Sequence, residues 1–378
     1  MAMQGTRETH NTIAATLAAL RRATEARARI EFLIVPTAEL DRVVPAWREE
    51  GPYLDGASFD ALLAEPDARL LTLSAPLGRW ATSGSQGRDT LLSDYSINQT
   101  GVIPVADPVL ATERSGEVLH VRLARIPGMA DRLSAEVALG VYELESEAER
   151  VGDDWADLTL PRVRELLFST TAVVPSGRPV VLGSAPGESG GVVLLRATMP
   201  VDRVRDDRPP PEARLVDAAF LGRSDESDRA WWGIEAPLDH GKWNFDPFEL
   251  LSPVLTTNEV DQLRAEIWPL TGHVILVRPS AETAGRVDTF LATESKRRAR
   301  TAQVEIELLS VTRETYAAMR QLAEPDSALD PKWREAVARG PDSEIRRYGI
   351  VGISGETHAV RAAEIRTLLT GGESVSGG

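Results

Sequence analysis

The sequence contains no cysteine. Disulfide frameworks, thiolate nucleophiles, zinc–cysteine sites and iron–sulfur clusters are thereby excluded, while the redox compartment stays undecided. The five histidines, His10, His120, His240, His273 and His358, are scattered. None falls into an HxxxH or HExxH pattern, so no histidine-rich metal site is expected. Neither a Walker A loop nor a GxGxxG turn is present, and no cofactor is assigned. No stretch approaches the ~18 consecutive apolar residues of a membrane helix. That test does not address membrane β-barrels. The opening MAMQGTRETHNTIAA lacks a basic segment followed by an apolar run, so no signal peptide is expected in this chain. Basic residues are the scarcer charge, 42 against 57 acidic, which leaves a net charge of −15. Such a balance argues against non-specific binding to nucleic acid or anionic lipid.

What is present is the composition of an ordinary globular chain. Of 378 residues, 42% are hydrophobic and 26% charged. At ~150 residues per domain this length suggests two or three domains, with enough apolar material for more than one core.

Residues 8–28 read as a helix, because Ile13, Leu17 and Leu20 recur at i, i+4, i+7 and Thr9 is a suitable N-cap. A strand follows at Ile30–Val35, closed by Pro36. Residues 38–65 read as helix and loop. From Arg69 to Pro200 the pattern is mostly β. Leu119, Val121 and Leu123 alternate with His120 and Arg122, and Val137, Leu139 and Val141 alternate with smaller residues. The segment Thr170–Val174, Pro175-Ser176-Gly177, Pro179–Gly183 reads as a hairpin. Residues 201–245, with Pro209-Pro210-Pro211 and two polar stretches, read as a linker. Beyond it, Leu250–Leu263 suggests a helix, and Ala265–Trp268 and His273–Val277 suggest two strands.

One helix-and-strand block recurs at an offset of about 274. Glu8-Thr9 returns as Glu282-Thr283, Ile13 and Leu17 as Val287 and Leu291, and Ile30-Glu31-Phe32 as Val304-Glu305-Ile306. Pro66-Asp67 returns as Pro341-Asp342. The second strand, Val304 to Leu308, alternates as a half-buried strand should.

The stretch from Thr9 to Gly183 resembles the core module of bacterial secretins, the outer-membrane ring channels of type II and III secretion and pilus systems, in a divergent form. The residues that carry the resemblance are Glu8-Thr9-His10 with Ile13 and Leu17, Ile30-Glu31-Phe32 and its repeat, and Ser74-Ala75-Pro76. Gly116 to Leu123, Leu160-Pro161 with Thr170-Thr171, and Pro175-Ser176-Gly177 with Val180–Gly183 complete the set. The family's Gly-Gly after the closing hairpin is Gly183-Ser184 here, and no lipid-facing aromatic girdle is visible.

The resemblance implies an α+β fold: a β-rich secretin-like module at 1–200, then, beyond the linker at 201–245, a small αβ ring-building domain at 246–300 and a partial second module at 301–370; the Gly/Ser-rich tail at 371–378 is expected to be disordered from its composition. It implies a non-enzymatic structural role, as a homo-oligomeric ring or pore part of a bacterial envelope or secretion system. The partners are then further copies of the chain and other envelope proteins. The place is periplasm or outer membrane, with the cytoplasm open in the absence of a visible signal peptide.

Other chemistry has a plainer reading. Gly187-Glu188-Ser189-Gly190-Gly191 fits G-x-S-x-G, but the apolar Val192–Leu195 after it reads as a strand, whereas a nucleophile elbow needs a helix there. A hairpin turn explains it, and a serine hydrolase ranks last among the alternatives. Gly152–Asp157 lacks the spacing of a calcium loop. Lys296-Arg297-Arg298 reads as a helix C-terminus. The alternative to assembly is a monomeric binding module in which Trp231, Trp232, Trp243 and Trp268 hold a protein or ligand partner.

Overall fold

The run Arg27–Val35 is apolar on both of its alternations from Leu33 onward, a pattern that a strand tolerates only where both its faces are covered. The computed structural model shows that cover. It describes residues 6–98, 105–149, 158–185, 191–199, 213–221, 246–262, 264–268, 273–277, 279–314, 344–354 and 358–366. The expected tail at 371–378, Trp231, Trp232, Trp243 and Ser189 lie outside these residues.

Along the chain, helix α1 (Arg7–Glu25) leads into β1 (Arg27–Val35). Three short helices follow: α2 (Thr37–Val43), α3 (Trp47–Glu50) and α4 (Gly56–Leu63). Then come β2 (Arg69–Pro76) and four long strands, β3 (Trp80–Asn98), β4 (Val105–Ile126), β5 (Met129–Glu149) and β6 (Leu158–Pro175). Two short strands, β7 (Val180–Ser184) and β8 (Val192–Thr198), complete this part. Next are β9 (Ala213–Asp217), α5 (Pro247–Leu251), α6 (Thr257–Gln262), β10 (Arg264–Trp268) and β11 (His273–Val277). Helix α7 (Ala281–Arg298) then leads into β12 (Thr301–Ser310), β13 (Glu344–Ile353) and β14 (Ala359–Arg366). The chain is α+β and β-rich, with every sheet antiparallel.

A six-stranded sheet runs β12-β13-β7-β8-β1-β2, and a five-stranded sheet runs β14-β6-β5-β4-β3. They pack face to face. Ile30, Phe32 and Ile34 of β1 meet Leu119, Val121 and Leu123 of β4 and Leu133, Ala135 and Val137 of β5 in one core. The opposite face of the six-stranded sheet is capped by the short helices, where Leu33, Val181 and Leu194 pack on Leu40, Trp47, Phe59 and Leu62. Asp55 caps α4 by accepting the Ser58 N–H. A third core joins the small sheet β10-β11-β9 to α7 and to the ends of β4 and β6, through Val216, Phe220, Val274, Leu276, Val287, Leu291, Ile126 and Val173. Gly128, at the β4–β5 turn with φ +77°, lets α7 come close; a Cβ there would stand 2.7 Å from that of Ala292.

Three expectations change. The segment 170–183 is not a hairpin: β6 belongs to the five-stranded sheet and β7 to the six-stranded one. Pro175-Ser176-Gly177 turns the corner between layers, with the Ser176 and Gly177 N–H groups donating to the Asp131 and Ala197 carbonyls. Apolar runs on both sides of a turn fit a crossing between packed sheets as well as a hairpin. Within the expected linker, residues 213–221 form β9 and a buried turn that complete the small sheet. The expected helix over 250–263 is two helices, α5 and α6, interrupted at Ser252–Thr256.

Glu259 ties α6 to α7. Its carboxylate accepts the Thr283 hydroxyl, the Thr256 N–H and hydroxyl, and the Arg286 guanidinium. These bonds, that of Thr283 foremost, lower its pKa from 4.5 to about 2. Because the folded form holds the charged carboxylate, the stabilisation is present above pH 4.5 and lost as pH falls toward 2. Protection from hydrogen exchange across 257–298, taken relative to the intrinsic rate at each pH, should therefore fall over that pH window, and Glu259→Gln should flatten the response. An unchanged profile in the variant would refute the tie. In the main core, Phe32→Ala should cost about 3–5 kcal/mol in denaturant unfolding. A loss below about 1 kcal/mol would show that the two sheets do not share that core.

Candidate functional site

Two regions merit scrutiny: the outer face of the five-stranded sheet, and the strand edges. The face is unusual because polar groups on it are buried. His120, Ser134, Glu136, Glu165, Ser169 and Thr171 all lie below 10% exposure, although the six-stranded sheet covers the other side. Arg122 and Glu136, paired across β4 and β5, form a bidentate contact at 2.6 and 2.7 Å from one guanidinium nitrogen. The Arg122 guanidinium also stands 5.4 Å from the Trp80 ring centroid. Thr82 and His120, paired across β3 and β4, bring Oγ1 and Nδ1 to 2.8 Å.

The five-stranded sheet is also strongly curved. β3 and β6 are separated by two strands in the pairing order, yet their Cα atoms come within 8 Å of each other. Three strand spacings would set them about 14 Å apart in a flat sheet. The ribbon β3–β6 is therefore tightly coiled, and the polar row lies on the face turned away from the six-stranded sheet. The row joins strands by ion pair and hydrogen bond. Among the described residues, no group of three or more His, Asp or Glu is placed to hold a metal ion.

The edges are built by the correspondence seen in the sequence. α1-β1-β2 and α7-β12-β13 have the same order, with the helix-to-strand turn at equivalent positions and both strand pairs antiparallel. β2 leads from the six-stranded to the five-stranded sheet as it continues into β3, and β13 does the same as it continues into β14. The second unit thus adds its strands to edges presented by the first. β13 pairs with β7 at Gly349–Ser184 and Ile350–Gly183, and β14 pairs with β6 along eight positions from Ala359–Ser169 to Arg366–Arg162.

The seam between the units is specific. A Cβ on Gly183 would come 2.5 Å from the Gly349 carbonyl oxygen, so glycine permits the approach. The Thr170 hydroxyl donates to the Val351 carbonyl at 2.6 Å. His358 lies beside it, with Nδ1 at 3.0 Å from Thr170 Oγ1 and Nε2 at 2.9 Å from the Ile353 carbonyl oxygen.

The outermost strand differs from expectation. β12 is exposed on both faces for most of its length, not half-buried. Val304, Ile306 and Leu308 are 47%, 48% and 53% exposed, whereas their counterparts Ile30, Phe32 and Ile34 are 0%, 0% and 8% exposed. The reason is position: β1 lies between two strands and over β4, while β12 ends its sheet one strand beyond β14 in the layer below.

Of the four tryptophans expected to bind a partner, Trp268 alone lies on a described element. It ends β10, opposite His273 of β11. The structure therefore brings no tryptophan cluster together among the described residues. The segment holding Ser189 connects β7 to β8, whose hairpin closes with the Ala185 N–H donating to the Gly191 carbonyl at 3.0 Å. Sequence reasoning missed the edges, since no local pattern says which strand ends a sheet. The comparisons with family profiles, with curated proteins and with solved structures return no match.

Thr170→Val should remove the bond to Val351, at a net cost on the order of 1 kcal/mol, while keeping the side-chain shape. Hydrogen exchange should then rise in 344–353 and 359–366 and stay unchanged in β4 and β5. Equal exchange in both forms would show that the seam does not depend on this contact.

Proposed function

We propose that this chain is a structural component that assembles with copies of itself by strand-edge addition, as a secretin-like ring or pore part of a bacterial envelope or secretion system. One observation carries the reading: the chain already performs such an addition internally. β13 and β14 extend the two layers of the sandwich by joining the β7 and β6 edges. A unit that accepts strands at one end and offers strands at the other has the form of a self-assembling module.

Strand length supports the reading. The four strands β3–β6 run 18 to 22 residues, against ~5–6 for an ordinary strand. The longest, at ~3.3 Å per residue, reaches roughly 70 Å. Strands this long are suited to the wall of a larger assembly. Their coiling follows the twist that sheets accumulate on the way to a closed barrel. Among the described residues no helix is long and apolar enough to cross a membrane; strands are a separate matter.

Mass photometry over a concentration series, with negative-stain images of the same samples, tests the proposal. Species at multiples of 41.1 kDa, with closed or curved particles in the images, are the expected result. A single 41.1 kDa species up to high micromolar concentration would defeat it.

A further inference from the structure

The six-stranded sheet ends in β12 on one side and β2 on the other, and neither outer edge has a partner strand among the described residues. The structure assigns these two edges to each other: we infer that β12 of one copy docks antiparallel against β2 of the next. This rests on the self-assembly reading above and names its interface.

Four observations point to the match. The first is the uncovered stripe Val304, Ile306 and Leu308. These residues share a face with Ile350, which belongs to the main core, so they continue the inner face of the sandwich beyond its second layer. Exposed apolar side chains next to an unpaired backbone edge form a template for another strand. The incoming β2 carries Leu71, Leu73 and Ala75 on its own inner face, Leu71 and Ala75 in the main core and Leu73 packed against it. Docking would make the two apolar rows continuous, with the partner's β3–β4 layer beneath.

Strand direction is the second. All five junctions of this sheet are antiparallel, so its two end strands run in opposite directions. A copy related by rotation about an axis along the strands therefore presents β2 antiparallel to β12. The five-stranded layer has an odd count, so β14 and β3 run the same way, and the same operation would leave a parallel junction there. The six-stranded sheet is the layer that can continue with uniform pairing.

Charge is the third. β12 carries Glu305 and Glu307 and no basic residue. β1 and β2 carry Arg27, Arg29 and Arg69 against Glu31 alone. Glu305 and Glu307 lie on the outer face of the sheet because Val304 and Ile306 share the inner face with Ile350, and Arg27 and Arg29 lie on that same outer face because Ala28 and Ile30 point into the core. Across one intervening strand these groups would face at about 10 Å, within reach of arginine side chains. Glu305 is exposed and has no ion-pair partner among the described residues.

The fourth is internal precedent. β1, the counterpart of β12, accepts β8 on the side that β12 leaves open. The position of a strand there is thus occupied in the first unit and vacant in the second.

The test uses two charge-inverted forms of the full chain, Glu305→Arg with Glu307→Arg, and Arg27→Glu with Arg29→Glu. Arg27, Arg29 and Glu305 are exposed and Glu307 is half-buried; Arg29 pairs with Glu31 and Glu307 with Arg347 within one copy, so unchanged thermal unfolding checks that each form folds without those pairs. Each form alone should need at least tenfold higher concentration to assemble than the wild type. Mixed one to one, they should assemble at wild-type concentrations, since every β12–β2 contact then joins opposite charges. Ile306→Lys should prevent assembly, and the mixture should not rescue it. If the wild type assembles and the inverted forms assemble equally well alone, this interface is wrong while the self-assembly reading stands. If the wild type is monomeric throughout, both fail.

Discussion

Each strand at the end of a sheet leaves one row of N–H and C=O groups without a partner, and a fold must pair, cover or blunt that row. In this chain the constraint governs the arrangement of most elements. β7 and β6 would end their sheets if the chain stopped after β8. Instead β13 and β14 join them, and the new ends are β12 and β14. Adding strands moves an edge outward without abolishing it. Only closure of the sheet, or a partner, removes it.

The contrast between β1 and β12 shows how far environment outweighs local sequence. Both follow a helix through a one- or two-residue turn, and both carry apolar residues at every second position. β1 is flanked by β2 and β8, lies over β4 and β5, and is capped by short helices, so nearly all of it is buried. Among the described residues β12 has one flanking strand and no second layer. The helices invert the relation. Val287 and Leu291 of α7 sit in the core of the small sheet, while Leu17 of α1, the counterpart of Leu291, is 45% exposed. The two units thus have similar content, and each buries the part that the other leaves open.

Much of this fold was legible in local pattern. The 3.6-residue spacing of Ile13, Leu17 and Leu20 marked α1, and the alternation around Leu119 and Val137 marked the inner halves of β4 and β5. Their outer lengths were not legible. β3 reads Trp80-Ala81-Thr82-Ser83-Gly84-Ser85-Gln86-Gly87, rich in small and polar residues that favour turns, and it is extended because β4 pairs with it throughout. The layer change at Pro175-Ser176-Gly177 was hidden because a corner and a hairpin have the same local signal. β9 was hidden in a proline- and charge-rich stretch, since only pairing with β11 identifies it. The edge at β12 had one readable trace: Val304-Glu305-Ile306-Glu307-Leu308 alternates perfectly, which tells of one apolar face but not of what covers it.

Twist bears on what self-docking would build. Adjacent strands rotate by roughly −20 to −25°. Over the five junctions of six strands that is about 100–125° within one copy, so copies do not stack edge to edge as flat plates. A continuous twisted sheet either winds into a filament or closes with its strands tilted to the axis by roughly 35–45°. The choice depends on curvature across the strands, and that curvature is visible in the other layer, where β3 and β6 approach within 8 Å. A sheet so coiled resists flattening, and the six-stranded layer packed on it through one core must follow its bend. Bend of a fixed sign at each junction favours closure over open growth. In that arrangement the edges at β12 and β2 are paired together in every copy, and no copy is left with an end strand in the six-stranded sheet.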